Sequence, residues 1–132
     1  MQRFISILFL GLLSITISAQ QYKKHTLTKD KLSIDLSVGQ LSIIPLTDKS
    51  VRIKYEIGNA KEAQEFVFIN KPSVPSFTFK ESGTSLKLIT KVITVEFDKK
   101  TGVIQYSDKS GKVFLSEKAN SRLMKPSTVM GE

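Results

Sequence analysis

The chain has no cysteine, no tryptophan and a single histidine. Without cysteine there can be no disulfide, so a domain built from this sequence is held by its core alone. Zinc sites of the usual composition are excluded, because His25 is the only ligand of the Cys/His class. A Ser–His dyad would also have to use His25, which sits among lysines in the setting of a surface residue rather than a rigidly held base. The lack of tryptophan counts against a dedicated sugar-stacking surface, since such surfaces rely on exposed amphipathic rings. Tyr22, Tyr55 and Tyr106 are the three tyrosines. Tyr55 falls on the apolar phase of its segment, which predicts packing in the core. There is no glycine-rich phosphate cradle either: Gly102 and Gly111 are far apart and each belongs to a separate turn.

Long apolar runs are scarce, and the one present lies at the N-terminus. Arg3 precedes an apolar stretch from Phe4 to Ile17, and Ile17-Ser18-Ala19 fits a small-residue cleavage site. The run is shorter than the roughly 20 residues needed to cross a hydrocarbon core. Residues 1–19 therefore read as a signal peptide, and no stable membrane insertion is expected after cleavage. The mature chain would begin at Gln20 and be exported, to the periplasm or outside the cell. It lacks the cysteine on which a bacterial lipoprotein carries its lipid.

Acidic residues are outnumbered. The net charge is +8, and loss of Arg3 with the leader leaves 19 basic against 12 acidic residues, or +7. A basic balance suggests nucleic acid as a partner. Here export argues against it, and so does the distribution of charge. Lys87, Lys91, Lys99, Lys100, Lys109 and Lys112 stand singly between apolar positions and in turns. That is the pattern of a solvated surface, without the aromatic–basic interleaving of single-strand binders. No nucleic-acid partner is expected.

Strand signals make up most of the rest. Leu32–Val38 alternates apolar and polar residues, Gly39-Gln40 breaks the run, and Leu41–Leu46 resumes it, which reads as a hairpin. Pro45 cannot donate to a ladder, so the second strand is expected to end there or to lie at an edge. Val51–Ile57 is apolar at odd positions and charged at even ones, the mark of a half-buried strand. Ala60–Glu65 reads as a loop, since a helix that short is marginal. Phe66–Asn70 reads as a strand buried on both faces. Phe77–Lys80, Leu86–Thr90, Val92–Phe97, Val103–Tyr106 and Val113–Leu115 complete about nine short strands, separated by turns at Glu81–Thr84, Asp98–Gly102 and Ser107–Gly111. Turn signals at this spacing predict an all-β antiparallel sandwich. The last two turns, each ending in glycine, predict a local meander.

The domain is expected to cover residues 20–117. Residues 118–132 lack strand patterning, yet Leu123, Met124, Val129 and Met130 are more apolar than a disordered tail should be. They read as a segment connecting to a catalytic domain that is missing from the chain. Carboxylate pairs are the remaining route to hydrolysis. Nearly all acidic residues fall on turns or on the polar phase of strands. Glu96 and Asp98 could share a face, but Asp98 also opens a turn, and solvated charge is the expected role of both. No catalytic residue, metal ligand or cofactor site is assigned, and the substrate-binding residues are unknown.

The order of pieces carries a resemblance. It runs through Val51-Arg52-Ile53-Lys54-Tyr55, then Phe66-Val67-Phe68 with Lys71-Pro72, then Leu86-Lys87-Leu88-Ile89-Thr90. It continues through Ile93–Asp98 to Thr101-Gly102 and closes on Ser110–Glu117. This succession resembles the N-terminal, galactose-mutarotase-like β-sandwich of glycoside hydrolase family 31, the retaining α-glucosidases and α-xylosidases, where it precedes a (β/α)8 barrel. The resemblance covers about residues 30–132 and is most specific from Leu86 to Glu117. It implies an accessory domain of an exported α-glycosidase, inactive alone. Its partner would be the catalytic barrel of the parent chain, and it would meet carbohydrate through that parent. The family's two catalytic aspartates belong to the barrel, and no stretch here matches their motifs. The alternative is a free-standing secreted module that binds carbohydrate or polyanions through its basic surface.

Overall fold

The computed structural model describes residues 20–58 and 73–122. The leader, the Ala60–Glu65 loop, the Phe66–Asn70 strand and the segment from Leu123 onward lie outside the described residues. Within them, nine strands form two antiparallel sheets, with no helix. The first sheet is built in chain order from β1 (Tyr22–Leu27), β2 (Leu32–Leu36), β3 (Gln40–Thr47) and β4 (Ser50–Glu56). The second follows as β5 (Thr78–Glu81), β6 (Ser85–Ile89), β7 (Thr94–Asp98), β8 (Ile104–Ser107) and β9 (Val113–Ser116). Each sheet is an up-and-down meander, and the two face each other as a sandwich.

The alternation seen in the sequence sets the register. Leu41 lies opposite Tyr55, Ile43 opposite Ile53 and Pro45 opposite Val51, so the apolar phases of β3 and β4 share one face. In the second sheet Leu86 lies opposite Phe97 and Leu88 opposite Val95. These inner faces meet in one cluster. Leu32, Ile34, Leu36, Leu41 and Ile43 come from the first sheet, and Leu86, Leu88, Val95, Phe97 and Ile104 from the second. Each such side chain contributes about 1.5–3 kcal/mol on burial, the largest single source of stability in a disulfide-free domain. Val51, Ile53 and Tyr55 pack against the cluster as expected of the β4 phase.

One expectation is corrected. Pro45 neither ends its strand nor marks an edge: β3 runs on to Thr47 between β2 and β4. The proline is tolerated because β2 offers no partner beyond Ile43 and the register with β4 shifts between Pro45 and Thr47. β1 is a further strand, which no alternation announces. Its Lys23-Lys24-His25-Thr26 stretch is polar at every position. β1 forms because Leu27 pairs with Leu32 and Ile34 with His25 across a hairpin, with Thr28 N–H donating to the Lys31 carbonyl at 2.9 Å.

The turns follow local chemistry. Gly39 closes the β2–β3 hairpin at φ +77°, and a Cβ there would lie 2.4 Å from the Glu56 carbonyl oxygen, so glycine is required twice over. Asp98 and Asp108 open the two glycine-ended turns of the closing meander, which is formed as expected.

Candidate functional site

Three polar groupings stand out from the solvated surface. The first holds Glu96 and Asp98, which do share the outer face of the second sheet. With Thr101, Val103 and Gln105 they line an open groove of about 290 Å3. Neither carboxylate is free for acid–base work. Glu96 pairs with Lys87 at 3.1 Å. Asp98 accepts from the backbone N–H groups of Lys100 (2.9 Å) and Thr101 (2.7 Å) and from the Thr101 hydroxyl (2.9 Å). Those bonds, the Thr101 N–H foremost, hold its carboxyl below the usual aspartate range. Asp98 therefore serves the turn, as its position implied.

The second grouping centres on His25. Its side chain is only 18% exposed, so it is not the free surface residue its lysine neighbours suggest. Its ring lies 5.3 Å from that of Phe79 on the opposite sheet. Nδ1 and the Tyr22 hydroxyl are hydrogen-bonded at 2.8 Å, and Nε2 stands 3.7 Å from Glu81. Lys99 completes the group: its ammonium donates to Glu81 at 2.7 Å and lies 5.1 Å from the centre of the Tyr22 ring. The Lys99 hydrogen bond is the main reason the Glu81 carboxyl sits low. This set ties the β1 edge to β5 across the mouth of the sandwich.

The third grouping joins residues far apart in sequence. The Arg122 guanidinium donates to the Gly102 carbonyl and pairs with Glu117 at 3.2 Å. Glu117 in turn accepts from the Ile104 N–H at 3.1 Å. The buried Gln20 amide donates to the Tyr55 hydroxyl at 2.5 Å and to the Arg122 carbonyl at 3.2 Å. Tyr55 directs its own proton to the Val38 carbonyl at 2.8 Å. Burial raises the Tyr55 phenol, and burial followed by the Glu117 charge raises that of Tyr106, so both stay protonated through the neutral range. Residues 118–122 are thereby bound back onto the sandwich. Sequence reasoning missed Gln20 and Arg122, because no periodicity marks a residue whose partners lie on other strands.

Chemically these groupings hold structure together. The polar partners of His25 among the described residues are a tyrosine and a carboxylate. Among the described residues no three His, Cys, Asp or Glu side chains gather as a metal site would require. Nor is there an exposed aromatic platform of tyrosines: Tyr22, Tyr55 and Tyr106 all pack against the core.

No family model matches the sequence, and no curated protein matches it either. The fold, in contrast, has a solved counterpart. A glycoside hydrolase family 31 dextranase of Flavobacterium johnsoniae, solved as a mutant with isomaltotriose, superposes with a TM-score of 0.71 over 82% of this chain at 14% identity. The chain spans 14% of that enzyme's length. What the two share is the fold, an antiparallel β-sandwich that in the dextranase forms a small part of a much larger polypeptide.

Proposed function

We propose that this chain is the N-terminal, galactose-mutarotase-like sandwich of an exported family 31 glycoside hydrolase, an accessory domain that supports a catalytic barrel and does not turn over substrate by itself. The observation that carries the reading is the match of most of this chain to a small part of a dextranase. It rests also on the sequence resemblance from Leu86 to Glu117 and on the signal-like leader. The engagement of Glu96, Asp98 and Glu117 in structural bonds supports the inactivity of the isolated domain.

The parent enzyme would act on O-glycosyl bonds of an α-linked carbohydrate, and this domain would reach substrate only through it. The alternative polyanion-binding module draws less support. Lys24, Lys87 and Lys99, three of the cations that would make its surface, are paired with Asp35, Glu96 and Glu81.

The test is to read the gene beyond the codon for Glu132 and to assay the purified 132-residue product on aryl α-glucosides, aryl α-xylosides and dextran. A barrel-coding stretch in frame and no turnover by the product are expected. Unrelated sequence after a stop codon, or turnover that stays with the purified chain, overturns the reading.

A further inference from the structure

We draw no further inference here: the strongest candidate, the open groove on the outer face of the second sheet lined by Glu96, Asp98, Thr101, Val103 and Gln105, carries nothing, because its two carboxylates are engaged by Lys87 and by the Thr101 turn and nothing in the structure points to a ligand for it.

Discussion

At one end of the sandwich, Gln20, Tyr55, Glu117 and Arg122 draw together segments up to 102 positions apart. At the other end, the buried Thr90 hydroxyl donates to the Asp48 carbonyl at 2.7 Å and links the β6–β7 turn to the β3–β4 turn across the two sheets. The first end is closed by charge-assisted bonds among side chains that no local pattern relates. Among the described residues the second is closed by the neutral Thr90 hydroxyl, which also accepts from the Val92 and Ile93 N–H groups of its own turn. The difference teaches where each end is vulnerable: the first to loss of a charge or of backbone space, the second to loss of the Thr90 hydroxyl.

The largest effect should come from Gly39→Ala, at the first end. The new Cβ would have to displace the Glu56 carbonyl and the Tyr55 ring at a φ that L-residues avoid. A loss of about 3 kcal/mol in urea unfolding is expected, and a loss below that of Thr90→Val would show that the hairpin yields easily. Arg122→Ala comes next, with about 2 kcal/mol lost, since it strands the largely buried Glu117 carboxylate and the Gly102 carbonyl. Thermal unfolding of Arg122→Ala and Glu117→Gln, singly and together, would measure the coupling. Additive losses would mean the pair does not close that end. Part of the arginine's contribution is already cancelled, as its Nη1 is buried with no hydrogen-bond partner among the described residues.

Thr90→Val, at the second end, should cost about 1.5 kcal/mol, from the bond to the Asp48 carbonyl lost and the Ile93 and Val92 N–H groups deprived of their hydroxyl acceptor. The smallest effect is the response to acid. Asp98 and Asp108 both sit below the usual aspartate range, held there by turn hydrogen bonds. A group whose carboxyl is lowered on folding stabilises the fold above its unfolded pKa and loses that contribution as the pH falls through its folded value. The melting temperature should therefore fall as pH drops below about 4. Asp98→Asn should flatten part of that slope while keeping an acceptor in the turn. An unchanged slope would assign the acid response elsewhere.

Most of the fold was legible because it is written locally. The alternation through Leu32–Leu36, Ser50–Glu56 and Ser85–Ile89 fixes which face is buried, and Gly39, Gly102 and Gly111 mark turns that a strand cannot continue through. β1 was not legible, because Tyr22 and His25 are covered by Phe97 and Phe79 from the other sheet rather than by a periodic stripe of their own. The closure around Arg122 escaped for a related reason. Its meaning lies in the Gly102 and Glu117 oxygens, and sequence distance hides both. Asp98 serves the turn that its position implied, whereas the pairing of Glu96 with Lys87 across strands had no local signal.

The bond from the Gln20 side chain to the Arg122 carbonyl brings the two limits of the described sandwich to within 3.2 Å at that contact. Segments 102 positions apart in the sequence thus meet on one side of the sandwich. The sandwich can therefore have these two segments joined covalently without moving either of them. It should also withstand reordering: joining residue 20 to residue 122 and opening the exposed Lys109–Gly111 tip would leave every strand with its present neighbours.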